Sequence, residues 1–257
     1  MILRGGRGAL ADDNTPTKGK NADLPARVAS AIVMIAVAGT AIWLGGWWWF
    51  AFIVIVAGGV MSEWHGLVLR FVPSMAGRIV WIVAGIAYAL LASLTLVSLR
   101  LDGTGYWLLV LILGVIGVDV GAYFMGRAIG GPKIAPSISP SKTWAGLAGG
   151  VVGAYVMILG AEVVSTAAIM AAHGAEFSQW VWLTLAANWG WALGLAALFA
   201  VVAQAGDFFE SWMKRRAGVK DSSNLIPGHG GLFDRTDGLM AVSAVLGIVQ
   251  VFTGGIS

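Results

Sequence analysis

Long apolar stretches separated by short polar segments run through most of the 257-residue chain. A helix needs about 20 apolar residues to cross the hydrocarbon core of a membrane. Seven stretches approach or exceed that length, at about 28 to 45, 48 to 69, 79 to 99, 106 to 125, 145 to 165, 180 to 205 and 237 to 254. Trp47, Trp107 and Trp182 lie at their ends, where amphipathic rings meet the membrane interface. The pattern predicts an all-α polytopic integral membrane protein with about seven transmembrane helices.

Composition excludes several classes of site and partner. The chain is 58% hydrophobic and 11% charged, and its net charge of +3 is too small to indicate a nucleic-acid partner. It contains no Cys, so it has no disulfide, no thiolate metal site and no Cys nucleophile. Residues 1–26 are basic and polar, without an apolar run long enough for a signal peptide. We expect them to form a disordered cytoplasmic tail ahead of a single membrane-embedded domain at residues 27–257.

Lys and Arg are distributed unevenly between the loops, and this indicates an orientation. If the N-terminus is cytoplasmic, seven spans place 15 of the 16 Lys and Arg on the cytoplasmic side and leave only Arg100 outside. Cytoplasmic loops of membrane proteins carry such an excess of basic residues. We therefore predict a cytoplasmic N-terminus, and cytoplasmic loops after the second, fourth and sixth spans.

The densest polar segment is 211–237, which reads SWMKRRAGVKDSSNLIPGHGGLFDRTD. Its Lys and Arg side chains can neutralise phosphate oxygens, and its glycines let backbone N–H groups turn towards an anion. Four aspartates in this segment or just ahead of it are hard oxygen ligands, of the type that Mg²⁺ takes when it also holds nucleotide phosphates. They are Asp207, Asp221, Asp234 and Asp237. The segment therefore predicts a phosphate site next to a magnesium site.

Ionisable residues within the spans add further candidates. Asp119, Tyr123 and Arg127 recur at i, i+4 and i+8, so they share one face of a helix. Glu63 lies near the end of the second span. Charged groups are costly to bury in a membrane and suggest function by default. The alternative for Asp119 is a pair with a basic side chain that holds two helices together.

The polar segment resembles the signature of the phosphatidate cytidylyltransferases, the CDP-diacylglycerol synthases. The matching positions are Ser211, Lys214-Arg215, Lys220-Asp221, Ser223, Ile226-Pro227, His229-Gly230-Gly231 and Asp234-Arg235-Thr236-Asp237. Ser139-Pro140-Ser141-Lys142-Thr143 is similar to the family's serine-proline-x-lysine-threonine segment, although this chain has Ala145 where many members have Glu. We expect the glycines after that segment to let helices approach closely rather than to bind phosphate. They are Gly146, Gly149, Gly150 and Gly153.

The resemblance implies that CTP and phosphatidate react to give CDP-diacylglycerol and pyrophosphate with Mg²⁺, at the cytoplasmic face of the inner (plasma) membrane. The implied catalytic residues are Asp207, Lys214, His229, Asp234 and Asp237. The implied substrate-binding residues are Tyr123, Arg127, Lys142, Ser211, Arg215, Lys220, Asp221, Gly230, Gly231 and Arg235. The implied magnesium ligands are Asp119, Asp207, Asp234 and Asp237. Bilayer lipid is a further partner, and association as a homodimer is left open.

Several alternatives remain at this stage. His229 could act as a general base, donate to phosphate or order the loop. Ser211 is expected to contact phosphate or metal, because no base can be placed beside it to make it a nucleophile. A CTP-dependent lipid kinase would share the setting and release CDP instead of pyrophosphate. An ion or solute transporter would also bury charged residues, but we find no internal repeat.

Overall fold

The computed structural model describes residues 24–101, 105–173 and 177–253. Within these ranges seven helices are long and apolar enough to cross a membrane. They are α1 (Leu24–Leu44), α2 (Gly46–Phe71), α3 (Met75–Leu101), α4 (Tyr106–Ala128), α5 (Trp144–His173), α6 (Phe177–Arg216) and α7 (Phe233–Thr253). The prediction of an all-α polytopic membrane protein is therefore confirmed. Most of the predicted tail, residues 1–23, lies outside the described residues.

Several helices extend beyond the predicted spans, and two of these extensions, in α6 and α7, carry candidate site residues. α6 does not end near residue 205 but continues to Arg216, so it carries Asp207, Ser211 and Lys214. These side chains recur at i, i+4 and i+7 on one face of the helix, from which Asp207 contacts Lys142 and Lys214 contacts Asp234. α7 begins at Phe233, which places the two aspartates of the segment's end in its first two turns.

A small β-hairpin follows α4, which the sequence pattern did not predict. β1 (Lys133–Ala135) and β2 (Ser139–Thr143) pair antiparallel, after two glycines whose positive φ values end the helical path. Thr143 also caps α5, since its Oγ1 accepts a hydrogen bond of 3.0 Å from the N–H of Gly146. The hairpin thereby holds Lys142 at the base of α5.

Glycines form the contact between α4 and α5. A Cβ atom on Gly121 would collide with the carbonyl oxygen of Gly149, and one on Gly153 would collide with that of Gly117. A larger side chain would therefore force the two helices apart. The expected packing role is confirmed, because each of the four predicted glycines of α5 lies against α4. This contact keeps Asp119 of α4 close to the base of α5.

An aromatic cluster joins α2, α3, α6 and α7. The buried Trp64 donates its Nε1–H to the carbonyl of Trp81 at 2.9 Å. Its ring centroid lies 5.6 Å from that of Phe209 and 5.7 Å from that of Phe233. Such aromatic pairs contribute about 0.5–1.5 kcal/mol beyond their buried area. Since Phe233 is the first residue of α7, the cluster fixes the end of α2 beside the start of α7.

The polar helix ends meet on one side of the bundle, which we call the motif face because it carries residues 211–237. There the carboxylate of Glu63 on α2 accepts a hydrogen bond of 2.8 Å from the N–H of Phe233 on α7. Arg100 is the one basic residue predicted to lie on the non-cytoplasmic side. It lies on the opposite side of the bundle, where its Nε donates to the Ile42 carbonyl at 3.2 Å. Alternate loops therefore lie on the same side of the bundle, as predicted.

Candidate active site

Three carboxylates meet where α6 and α7 run antiparallel at the motif face. One oxygen each of Asp207, Glu210 and Asp237 lies within 4.8 Å of the others. Gly206 permits the approach, because a Cβ there would lie 2.7 Å from the backbone oxygen of Asp237. Glu210 is 1% exposed, and its Oε1 has no hydrogen-bond partner among the described residues. We call these three residues the carboxylate cluster; their hard oxygens are of the kind that binds Mg²⁺.

Lys214 connects the carboxylate cluster to the start of α7. Its Nζ lies 2.6 Å from Glu210 Oε2 and 2.6 Å from Asp234 Oδ1. The other oxygen of Asp234 accepts hydrogen bonds from the N–H groups of Ser222 and Gly231. Both oxygens of Asp234 are thus engaged by Lys214 and the loop, and Asp234 is not a member of the carboxylate cluster. The sequence had placed all three predicted aspartates of α6 and α7 together.

The hairpin contributes a second lysine. Lys142 forms an ion pair with Asp207, and Ser211 Oγ lies 3.4 Å from Oδ1 of the same carboxylate. The side chains of this pair are about a quarter exposed, at 26% for Lys142 and 27% for Asp207. The pair is therefore open to an incoming ligand, in contrast to the buried contacts of Lys214. The fold brings together two predicted motifs that lie far apart in the sequence.

A cavity of about 370 Å³ opens next to the carboxylate cluster, between α4, the hairpin and α5. Its lining includes Asp119, Tyr123 and Arg127, which share one face of α4 as predicted. Its volume is typical of small-ligand pockets, which measure about 300–1,000 Å³. A second cavity of about 20 Å³ shares Asp119 and reaches Asp207 and Asp237. This smaller space has room for one species of the size of a water molecule.

We call the loop between α6 and α7, residues 217–232, the motif loop. Its glycines determine its conformation. Gly230 has a φ of +82°, which other residues rarely adopt. Gly231 has no room for a side chain, because a Cβ would collide with the carboxylate of Glu63. Its N–H donates to the Asp234 carboxylate at 2.8 Å and is therefore engaged within the chain, whereas the sequence pattern had predicted an N–H directed at a bound phosphate. The glycines order the loop around carboxylates of the chain itself.

His229 contacts α1 rather than the carboxylate cluster. Its Nδ1 lies 2.7 Å from Ser30 Oγ, and its carbonyl accepts a hydrogen bond of 3.0 Å from Arg235 Nε. The side chain of Arg27 packs over Gly228, where a Cβ would lie 2.7 Å from Arg27 Cγ. Of the roles left open for His229, ordering the motif loop is the one that these contacts match.

Five predicted substrate-binding residues are exposed at the motif face, and their charged groups form no salt bridge within the described part of the chain. They are Arg127, Arg215, Lys220, Asp221 and Arg235. Arg127 donates to the Tyr123 hydroxyl at 3.2 Å, and Arg215 donates to the Val219 carbonyl at 3.4 Å. The four basic side chains are therefore available to an anionic ligand.

Two polar residues beside the site, Glu210 and Gln204, were not among the predicted candidates, and a third, Glu63, had been named as a candidate without a role. Glu210 belongs to the carboxylate cluster, Glu63 holds the motif loop, and Gln204 lines both cavities while only 7% exposed. Glu210 could have been found, because it follows Asp207 by three residues and precedes Lys214 by four on one helix face. Glu63 and Gln204 carry a weaker signal, which is polarity within an apolar span.

Known proteins resemble this chain over most of its length. A model of the Cytidylyltransferase family matches residues 71–252, which is more than half of the chain. A phosphatidate cytidylyltransferase of Brucella suis is 44% identical over 168 residues, 65% of this chain and 55% of that protein. A phosphatidate cytidylyltransferase of Rickettsia felis is 29% identical over 252 residues, 98% of this chain and 100% of that protein. One of Rickettsia bellii is 30% identical over 248 residues, 96% of this chain and 96% of that protein. The chain thus matches about half the length of the Brucella protein and nearly all of the Rickettsia proteins.

Proposed function

Because the chain belongs to the cytidylyltransferase family, we propose that it converts CTP and phosphatidate into CDP-diacylglycerol and pyrophosphate. One observation carries the proposal beyond family membership. The carboxylate cluster, two lysines and a cavity of about 370 Å³ meet at one edge of a bundle of membrane-spanning helices. A lipid substrate can reach such an edge with its phosphate while its acyl chains stay in the bilayer.

The proposed reaction is a direct transfer between the two substrates. An oxygen of the phosphatidate phosphate attacks the α-phosphorus of CTP and forms a new P–O bond. The bond between the α-phosphorus and the bridging oxygen to the β-phosphate breaks, and pyrophosphate leaves. No nucleophile from the protein is needed, because the lipid already carries one. This agrees with Ser211, whose hydroxyl lies 3.4 Å from Asp207, a carboxylate that is already paired with Lys142.

The protein's part in this reaction is to position the substrates and to neutralise their charge. We assign the CTP phosphates to the large cavity, where Arg127 and Lys142 line the wall. In the absence of a ligand, Lys142 pairs with Asp207. The Lys142 side chain is exposed enough to turn to a phosphate oxygen when CTP binds. Lys214 has a different task, since it is enclosed by Glu210 and Asp234 and fixes α6 against α7.

Magnesium fits the residues at this edge. The carboxylate cluster offers three hard oxygen donors from Asp207, Glu210 and Asp237, and the unpaired Oε1 of Glu210 is a buried acceptor that a cation would satisfy. Bound there, Mg²⁺ would supply positive charge to the phosphates during transfer. In this proposal Asp119 borders the cluster from α4, and Asp234 orients Lys214 and the motif loop instead of holding metal.

We further propose that the protein lies in the inner membrane with the motif face and the N-terminus in the cytoplasm. The excess of Lys and Arg on that face supports this orientation. CTP is a cytoplasmic metabolite, so an active site at the motif face would meet it directly. The proposal involves no nucleic-acid partner.

The function is tested by incubating the purified protein with CTP, phosphatidate and Mg²⁺ and identifying both products. We expect CDP-diacylglycerol and pyrophosphate in equal amounts. Release of CDP with a doubly phosphorylated lipid would instead identify a lipid kinase, and absence of any turnover would leave the transporter alternative. Asp207→Asn should lower the rate by about two orders of magnitude. Glu162→Gln, which removes a carboxylate at the opposite side of the bundle, is the matched control.

A further inference from the structure

Glu63 of α2 is a buried carboxylate that the reaction described above does not use. It is 5% exposed, and no salt bridge reaches it within the described residues. A buried charge without a counter-charge is costly unless hydrogen bonds compensate it. Its presence in an apolar helix therefore calls for a function. The family match begins at residue 71, so Glu63 lies ahead of the matched region.

Four donor groups lie within hydrogen-bond distance of the two oxygens of Glu63, and all four belong to the motif loop and the start of α7. Oε1 accepts from Ser223 Oγ at 2.7 Å and from the Leu232 N–H at 2.9 Å. Oε2 accepts from Ser222 Oγ at 2.8 Å and from the Phe233 N–H at 2.8 Å. These partners are separated from Glu63 by 159 to 170 residues. A single side chain of α2 thus holds both ends of the segment that leads into α7.

Two of these hydrogen bonds cap a helix. The first N–H groups of a helix have no partner within it, and the positive end of the helix dipole favours a negative group there. α7 begins at Phe233, and the residue ahead of it is Leu232, whose side chain cannot accept a hydrogen bond. The carboxylate of Glu63 takes the place of that missing cap from a neighbouring helix.

The start of α7 also carries two residues of the candidate active site. Asp237 belongs to the carboxylate cluster, and Asp234 contacts Lys214. Ser222 Oγ lies 2.8 Å from Glu63 and 2.9 Å from Asp234, so one hydroxyl separates the two carboxylates. A shift of α7 at its first turn would therefore move both aspartates relative to α6.

We propose that Glu63 is a positioning residue, which caps α7 and holds the motif loop so that Asp234 and Asp237 face the groups of α6. It touches neither substrate. The kinetic part of this inference rests on the proposed function, whereas the effect on the motif loop does not.

Glu63→Gln keeps the size of the side chain but turns an amide NH₂ towards groups that donate, so hydrogen bonds to the loop are lost. We expect kcat to fall by about 10²-fold, the scale of a small misplacement of reacting groups, with KM for CTP changed by less than about threefold. Glu63→Asp keeps the charge and should recover part of kcat. Glu162→Gln is the matched control and should leave kcat within about twofold.

A second measurement reports on the motif loop without any substrate. Hydrogen exchange of peptides covering residues 222–233 should be faster in Glu63→Gln, while peptides from α4 and α5 should be unchanged. Ser223→Ala should have no further effect on kcat in the Glu63→Gln background, because both changes remove the same contact. If Glu63→Gln cannot be purified as folded protein, Ser222→Ala with Ser223→Ala replaces it and carries the same expectation.

The inference would be overturned by unchanged exchange at residues 222–233 together with kcat within about threefold of the wild type. It would also fail if kcat fell and exchange rose equally throughout the protein, since that would indicate general loss of stability. If the wild type does not make CDP-diacylglycerol, the proposed function fails, and the exchange experiment alone decides whether Glu63 holds the loop.

Discussion

Lys214 is the charge on which the buried part of the candidate site depends. Its Nζ lies 2.6 Å from a carboxylate oxygen on each side, and the exposed fractions of the side chains are 12% for Lys214, 1% for Glu210 and 6% for Asp234. Removing one partner of a buried ion pair costs about 3–5 kcal/mol, because the other charge is left uncompensated. We therefore expect Lys214→Met to lower the free energy of unfolding by about that amount.

The loss should fall mainly on Glu210. Asp234 keeps hydrogen bonds from Ser222 and Gly231 when the lysine is removed, whereas Glu210 already has one oxygen without a partner among the described residues. Neutralising Glu210 in the same chain should therefore recover part of the stability. For Lys214→Met with Glu210→Gln we expect a recovery of about 1–3 kcal/mol, in the range of coupling energies between residues in contact.

Equilibrium unfolding in mixed detergent micelles, followed by the fluorescence of the 13 Trp residues, measures these free energies. Lys142→Met is the matched control, because it removes the same kind of side chain from a pair that is 26% and 27% exposed. Such a pair contributes about 0–1 kcal/mol. Equal, small losses for Lys142→Met and Lys214→Met would refute the argument that burial decides the value of the pair.

Three further outcomes are expected. Gly121→Ala should lower the free energy of unfolding by more than about 1 kcal/mol, since the added methyl group would collide with the backbone of α5. Gly160 faces open space, so Gly160→Ala should stay within about 0.5 kcal/mol of the wild type in the same unfolding assay. Asp237→Asn should lower turnover by about two orders of magnitude and shift its Mg²⁺ dependence; an unchanged Mg²⁺ titration would exclude Asp237 as a ligand. In this Cys-free chain, His173→Cys should react with an impermeant thiol reagent in intact cells and Ser137→Cys only after permeabilisation, and the reverse result would invert the proposed orientation.

The helices could be predicted from the sequence because a membrane leaves the backbone little choice. Each N–H and C=O in the hydrocarbon core must be paired within the chain, so a long apolar stretch forms a helix. The glycines of α5 could be assigned to packing for a related reason. In a membrane the hydrophobic effect does not drive helices together, and small residues allow the close backbone contact that does. Most of the predicted site residues could be named because the motifs of residues 139–143 and 211–237 concentrate charged and polar side chains in an otherwise apolar chain.

The partners of those residues could not be predicted. Periodicity places Asp234 and Asp237 on one helix face, and both were predicted to be magnesium ligands. In the fold Lys214 Nζ lies 2.6 Å from one oxygen of Asp234, and N–H groups of the motif loop donate to the other oxygen of Asp234. The short hairpin also lacked a signal, because its strands of three and five residues are too short to show an alternating pattern.

Local sequence therefore determined which segments cross the membrane and which residue types are available for chemistry. Only the tertiary structure decided that Glu210 joins Asp207 and Asp237, and that Glu63 caps a helix 170 residues further along the chain. The physical reason is the range of each interaction. Apolar burial and backbone hydrogen bonding act within a single helix, whereas a hydrogen bond or an ion pair depends on the position of one atom relative to another to within a few tenths of an ångström. That position is set only when all the helices are packed.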